Sequence, residues 1–292
     1  MREIALSVYR KCVQKAAGYG LDNVRIVHAL HGQMLRRLRP ESVTVFGKRL
    51  YLDDADSLNL SIHGAHEPDT TALLKSLVRD GDTVLDIGAH IGYFTLLMAG
   101  LAGDSGRVIA FEAHPDNAAL LRKTIAESGY NNVVIENKAA TSRTGSLYLI
   151  PDREGTVDHR TTDVLEGPEQ IGIEGVALDD YFDATTKVDV IKMDIQGAEG
   201  HALRGMERLV ARQDRLTLIT EFEPWGLDES GIGARRYLEM LRDFGFTVYD
   251  LRSRDDEHLA VGPDTLCGKY PPIKDAFTNL YCVKGTTPPT CV

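Results

Sequence analysis

Cysteine is scarce in this chain: Cys12, Cys267, Cys282 and Cys291 are the four present among 292 residues, and no two of them are spaced C-x-x-C. That supply cannot staple a disulfide scaffold, so reduced thiols in a cytoplasmic protein are expected. An excess of cations is missing too. The formal net charge is -10, from 33 Lys and Arg against 43 Asp and Glu, so nucleic-acid binding through a general attraction to phosphates is not expected. Long apolar runs are also absent. The longest uncharged stretch, Ile87 to Gly103, has 17 residues, four of them glycine, and contains His90. Such a segment is poor material for crossing a bilayer, and neither a signal peptide nor a membrane span is read, so a soluble chain is expected.

What is present suits a globular protein with a sizeable core, 43% hydrophobic and 26% charged. The charge is uneven, because residues 1 to 40 hold eight Lys or Arg against Glu3 and Asp22. The spacing of Leu21, Val24, Leu35 and Leu38 predicts helices over 3–17 and 21–38, split at Gly18 and Gly20. Their basic faces read as solvated surface or as a contact for an anionic partner. Their Leu and Val stripes either pack on the same chain or join two copies as a homodimer. His28 and His31 lie one turn apart there, where packing is the plainer reading and metal binding the sharper one. A hairpin over Val43 to Leu52, turning near Gly47-Lys48, completes an N-terminal appendage over residues 1–56, and the main domain spans 57–292.

A helix over Pro68 to Arg79 leads into a region where strands alternate with helices, the pattern of a mostly parallel sheet covered on both faces. Strands are predicted over Thr83 to Ile87, Arg107 to Glu112, Val133 to Asn137, Val188 to Asp194 and Leu216 to Phe222. Helices are predicted over Gly92 to Ala102, Asp116 to Ser128, Ala198 to Ala211 and Ala234 to Phe244. Phe246 to Leu251 and Asn279 to Val283 add an antiparallel pair, bringing a doubly wound α/β sheet to seven strands. Two long polar stretches, Pro151 to Gly175 and Ser253 to Thr278, read as loops that cover a substrate.

The sharpest local signal is Val84-Leu85-Asp86-Ile87-Gly88-Ala89-His90-Ile91-Gly92-Tyr93-Phe94, a strand entering a glycine turn and then a helix. Glycine at 88 lets a ligand lie against the backbone, and free amides at the helix start can meet an anionic group. A dinucleotide fingerprint needs G-x-G-x-x-G. Here Asp86 replaces its opening glycine, and a carboxylate there opposes a pyrophosphate but suits a ligand with an ammonium group. Taken alone, Asp86 also reads as a helix-capping carboxylate. Glu112 follows 26 residues later at the tip of the next strand, placed to accept both hydroxyls of a ribose.

These residues resemble D-x-G-x-x-x-G, the first motif of class I S-adenosylmethionine (SAM) dependent methyltransferases. Phe111-Glu112-Ala113-His114-Pro115, Val176-Ala177-Leu178-Asp179-Asp180 and the run from Val188 to Glu199 follow in order, and together they resemble the FkbM family of methyltransferases over about Ser57 to Lys284. The resemblance implies a Rossmann-like class I fold, SAM as cofactor, and O-methylation of hydroxyls on sugars, glycolipids or polyketides. It implies that the amino-acid end of SAM lies over Gly88, Ala89, His90 and Gly92 with Asp86 facing its ammonium. It also makes Glu112, Tyr93, Phe94, Ala139 and Glu67 cofactor neighbours. Three departures bear on acceptor contacts: His90 where Asn is usual, Gln196 where Glu is usual, and His114 where the family commonly shows Pro-x-Pro.

Methyl transfer from sulfonium to oxygen is an in-line displacement, helped mainly by alignment and exclusion of water, with a base useful as it takes the proton. Open α/β sheets hold ligands at the carboxyl ends of strands. That selects Asp194 as the catalytic carboxylate, with Lys192 on the same strand face. Glu199 is a third catalytic candidate and equally a cap of the next helix. Glu221 and Glu223 end the neighbouring strand, and with Asp194 they offer oxygen ligands for a magnesium ion; the plainer reading is that Glu223-Pro224-Trp225 begins a loop. His63, His66, His90 and His159 are further bases within reach of a cleft, each reading first as an ordinary loop residue. Two other functions stay open: methylation of nitrogen, and a non-catalytic SAM-fold protein acting as a binding or assembly partner.

Overall fold

Apolar residues fill successive positions of the central strands and divide between two cores. Leu85, Ile87, Ile109, Phe111, Ile191 and Met193 pack on one side with Leu203, Met206, Tyr237 and Leu241. Val84, Val108, Ala110 and Val190 pack on the other with Leu74, Leu96, Met98 and Leu121. A strand sends alternate side chains to opposite faces, so a sheet with apolar residues on both faces must be covered on both. The computed structural model describes residues 37–150, 160–165, 167–252, 259–274 and 276–285, together with 5, 6, 8, 9, 11, 13 and 34.

The strands are β1 (Ser42–Val45), β2 (Lys48–Tyr51), β3 (Thr83–Ile87), β4 (Arg107–Phe111), β5 (Val133–Glu136), β6 (Ala139–Ala140), β7 (Gly145–Ile150), β8 (Arg160–Thr162), β9 (Ile171–Val176), β10 (Val190–Met193), β11 (Leu216–Phe222), β12 (Thr247–Asp250) and β13 (Thr278–Lys284). Seven form one sheet in the order β12-β13-β11-β10-β3-β4-β5. All neighbours are parallel except that β13 runs antiparallel between β11 and β12. This is the doubly wound, Rossmann-like sheet that the sequence predicts.

Register then positions the site. Thr220, Met193, Ile87 and Phe111 stand side by side across β11, β10, β3 and β4. Glu221, Asp194, Gly88 and Glu112, each the next residue along, therefore share one edge. The strand order reverses between β3 and β10, the switch point where open α/β sheets leave a crevice.

Three expectations are corrected. Pro151 to Gly175 is not a plain covering loop, because β8 and most of β9 lie within it and join β6 and β7 in a second sheet of order β6-β9-β7-β8. Ser253 to Thr278 contains the helix Pro263–Lys269. In the small sheet β7 buries only Leu147 and Leu149, too short an alternation to stand out locally. The helix expected over 198–211 is two, Glu199–Arg204 and Glu207–Ala211. Between them Gly205 packs so closely that a Cβ there would lie 1.9 Å from Thr141 O.

The hairpin of β1 and β2 clasps the helix Pro115–Ser128, which begins just after Glu112. Leu50 is fully buried, Tyr51 N donates to Thr124 Oγ1 at 3.2 Å, and the Tyr51 hydroxyl donates to Glu127 Oε1 at 2.6 Å. The helices expected over 3–17 and 21–38, with Cys12, His28 and His31, lie largely outside the described residues, as do His159 and Cys291. Leu6 is described and packs with Ile62. Among the described residues Cys267 and Cys282 are free thiols, and no helix is long and apolar enough to cross a membrane.

Candidate active site

Glu112 ties two strand ends together. Its Oε2 accepts from His90 N and its Oε1 from His114 N, each at 2.8 Å, so the carboxylate bridges the turn after β3 and the turn after β4. Burial pushes the Glu112 carboxyl up to about 7, and the backbone donors at His114 and His90 oppose that rise. The Asn117 side chain donates to the same carboxylate, and a carboxylate has about four lone-pair directions, so acceptor capacity is left for a ligand hydroxyl. The amides of Gly88 and Ala89 both donate to Phe111 O, at 2.9 and 3.0 Å, and Gly92 N donates to Ala89 O at 2.9 Å. These amides are committed to joining β3 to β4 and to closing the turn.

A cavity of about 270 Å³ opens at this edge. Of the expected cofactor set, Gly88, Ala89, His90, Tyr93, Phe94, Glu112, Ala139 and Glu67 line it, whereas Asp86 and Gly92 do not. Asp86 sits in the sheet at 0% exposure. Its Oδ2 accepts from Thr95 Oγ1 at 2.5 Å, and its Oδ1 has no hydrogen-bond partner among the described residues. Burial pushes its carboxyl above the ordinary value, with Lys192 pulling the other way. Gly92 instead makes room for Leu121, whose Cδ1 lies 2.5 Å from where a Cβ would stand.

Lys192 and Asp194 are neighbours in the cavity wall, as strand alternation predicts. Lys192 Nζ donates to Asp194 Oδ2 at 3.3 Å and lies 5.0 Å from the Phe94 ring centre. Gln196 Nε2 donates to Asp194 Oδ1 at 3.0 Å. Burial favours neutral Lys192, yet the carboxylates of Asp194, Asp86 and Glu67 outweigh it and hold the ammonium charged. For Asp194 burial also opposes the charge, and Lys192 outweighs it, so the carboxyl stays below its ordinary value. Glu199 does not line the cavity. Its Oε1 accepts from Ile195 N at 2.9 Å, which braces the 195–199 turn, and burial pushes it up to about 7.

Glu221 and Glu223 line the cavity as well. Glu221 is 8% exposed, and its Oε2 has no hydrogen-bond partner among the described residues. Burial and then the charges of Asp194, Glu199, Glu223 and Glu67 push its carboxyl well above the ordinary range. The geometry gives the magnesium reading no support: among the described residues no group of three or more His, Cys, Asp or Glu side chains is arranged to hold a metal ion. Asp194 has one oxygen engaged by Lys192 and the other by Gln196.

Of the histidines read as possible bases, His66 and His90 line the cavity, as does His114, whereas His63 is exposed outside it. Three cavity residues other than glycine hold positive φ, Glu67 at 39°, His90 at 51° and Gln196 at 55°. Backbone held in that region gathers at ligand sites, where surrounding contacts enforce it. Asn279 was not marked by the sequence at all. Its Nδ2 donates to Glu67 Oε2 at 2.8 Å across 212 positions, a pairing with no local signal.

Residues 86–248 match the model of the methyltransferase FkbM domain. Curated relatives include protein-L-isoaspartate O-methyltransferases. That of Methanococcoides burtonii is 36% identical over 70 residues, 23% of this chain and 34% of the relative. That of Aeropyrum pernix is 43% identical over 54 residues, 18% of this chain and 21% of the relative. The chain thus spans about a third or less of the length of these curated relatives. Among solved structures, the methyltransferase FkbM of Methylobacillus flagellatus has 16% identity and a TM-score of 0.43, with 89% of this chain and 60% of that chain covered. A SAM-dependent O-methyltransferase of Thermotoga maritima has 14% identity and a TM-score of 0.45, with 76% and 66% covered. The family model spans more than half of the 292 residues, and its matched segment carries the glycine turn, Glu112, Lys192 and Asp194: this chain belongs to the FkbM methyltransferase family.

Proposed function

We propose that the protein transfers a methyl group from SAM to a hydroxyl of a small molecule or saccharide, with residues 57–292 as the catalytic domain and 1–56 as an appendage. The observation that carries this reading is Glu112. A buried carboxylate spans the ends of β3 and β4 and faces a cavity beside the glycine turn, the acceptor that the two hydroxyls of a ribose diol require. Glu112 would hold the ribose and the Gly88 to His90 turn would lie along the amino-acid end. Asp86, with its unpartnered Oδ1, would bias the turn toward an ammonium group rather than a phosphate. When bound, SAM supplies an electrophilic methyl on a cationic sulfur. The chain's own residues align the acceptor, exclude water and take the proton.

The acceptor end carries the carboxylates Glu67, Asp194 and Glu223, with the Lys192 ammonium paired to Asp194 and Glu221 held toward its neutral form by burial, so the balance there is negative. An acceptor carboxylate would meet like charge there, which disfavours the esterification named for the isoaspartate relatives. The same charges would keep an amine protonated and non-nucleophilic, which disfavours N-methylation. A neutral hydroxyl suffers neither penalty, and a sugar or a polyketide alcohol fits.

The test uses SAM labelled in its methyl group with a panel of methyl glycosides, polyols, peptides and amines. Transfer to a hydroxyl gives an ether stable to mild alkali. Methanol released by alkali indicates an ester, label retained on an amine indicates N-methylation, and binding of S-adenosylhomocysteine without transfer to any acceptor supports a non-catalytic protein. Any of these three outcomes overturns the reading.

A further inference from the structure

Transfer to a hydroxyl leaves a proton that needs a destination, and Asp194 is a weak one. Both its oxygens already accept hydrogen bonds, and the ammonium of Lys192 keeps it ionised. Another arrangement stands on the same cavity wall. His66 Nε2 lies 3.5 Å from Glu67 Oε1. Glu67 Oε2 accepts from Asn279 Nδ2 at 2.8 Å, and that amide nitrogen also donates to Thr70 Oγ1 at 3.0 Å. Asn279 reaches the site from β13, where it pairs in register with Glu221.

The surrounding structure holds this relay in place. Thr71 Oγ1 donates to His66 O at 3.0 Å and Thr71 N donates to Glu67 O at 2.9 Å. The imidazole meets the Tyr93 ring at 5.7 Å and the Phe94 ring at 5.9 Å between centres. An imidazole 3.5 Å from a carboxylate that an amide orients is close to the arrangement that serves proton transfer in catalytic dyads and triads, where such a contact tightens when the ligands bind.

We propose that His66 takes the acceptor's proton, with Glu67 holding the Nε2–H tautomer and Asn279 holding Glu67, so that Nδ1 is the accepting nitrogen. This rests on the O-methyl-transfer reading above. As the acceptor oxygen bonds to the methyl carbon, the carbon–sulfur bond breaks with its electron pair going to sulfur. The O–H bond breaks with its pair going to oxygen, and the proton passes to Nδ1. Positive charge thus moves from sulfur to an imidazolium beside Glu67, so that carboxylate stabilises the product side. The charged groups facing the ring are Glu67 from its own segment and Lys192 and Asp194 from β10. Burial, helped by Lys192 and opposed by Glu67 and Asp194, holds the ring below the ordinary 6.5, so it is neutral and able to accept at neutral pH.

The test reads the ring directly, in the full chain labelled with 15N-histidine and saturated with S-adenosylhomocysteine. The His66 signals are assigned by their loss in His66→Gln. At neutral pH they should report the Nε2–H tautomer, and Glu67→Gln and Asn279→Ala should each shift the ring toward a mixture of tautomers. An Nδ1–H ring, or a tautomer unmoved by Glu67→Gln, overturns the proposal. Turnover is the second arm. His66→Gln should lower kcat by about 100-fold or more and abolish the rise of the rate with pH below 6.5. The KM for SAM should change by no more than about twofold, as befits a group acting only in the chemical step. A His66→Gln enzyme with wild-type kcat also overturns it. Failure of the wild type to methylate any hydroxyl defeats the O-methyl reading alone, and the tautomer measurement then decides His66.

Discussion

The backbone carbonyl of Asp194 stands where a side chain on Gly88 would have to be, 1.9 Å from an ideal Cβ position. Gly88 also holds φ at 81°, a region that costs other residues energy. The turn after β3 and the end of β10 can therefore touch only because position 88 is glycine. Gly88→Ala should destabilise the fold by on the order of 2 to 4 kcal/mol, combining steric overlap with backbone strain. Gly172→Ala is the control, since nothing lies within 4 Å of its Cβ position. Equal melting temperatures for the two variants would contradict the close approach.

Glu112→Ala removes the acceptor of two backbone amides and of the proposed ribose contact. Affinity for S-adenosylhomocysteine, measured by calorimetry, should fall by about 1 to 3 kcal/mol, the range for hydrogen bonds to a charged acceptor. Unchanged affinity would remove Glu112 from the cofactor site.

Lys192 is the ammonium shared by Asp194, Asp86 and Glu67. Lys192→Met leaves buried negative charge without its partner and should cost about 3 to 5 kcal/mol in chemical denaturation. Adding Asp194→Asn should recover part of that loss. A double variant no more stable than Lys192→Met alone would show that the pair is not coupled.

Glu199 titrates near 7 in the fold, raised by burial from an ordinary 4.5. The folded chain binds a proton between those values that the unfolded chain does not, so this residue makes stability fall as pH rises through about 7. Glu199→Gln keeps an acceptor for Ile195 N and removes the charge. It should flatten that slope and stabilise the protein above pH 7, by on the order of 1 to 3 kcal/mol. A slope identical to wild type in melts across this range would place the effect elsewhere, Glu112 being the next candidate.

The seven-stranded sheet was readable because its strands are short apolar runs bounded by glycine, proline or charge, signals contained within a few residues. The spacing of Asp86 and Glu112 on neighbouring strands was readable, though which of the two faces the cavity was not. Glu112 faces the cavity, whereas Asp86 turns into the sheet toward Thr95. Alternation put Lys192 and Asp194 on one face, and the structure joins them. Strands β6 to β9 escaped notice because a half-exposed small sheet imposes little alternation.

Local rules reach as far as the element and the motif: two-residue periodicity, glycine where the backbone must turn or be approached, and a carboxylate at a strand tip all act through near neighbours. From these the chain's fold class follows, and the ordered motifs carry the resemblance to its family. Which carboxylate stays charged, which one lies buried without a partner, and which histidine meets an acid depend on how strands far apart in sequence come into register. Asn279 reaches Glu67 only because β13 inserts beside β11. Desolvation and charge coupling act through space, so they exist only once the sheet has assembled.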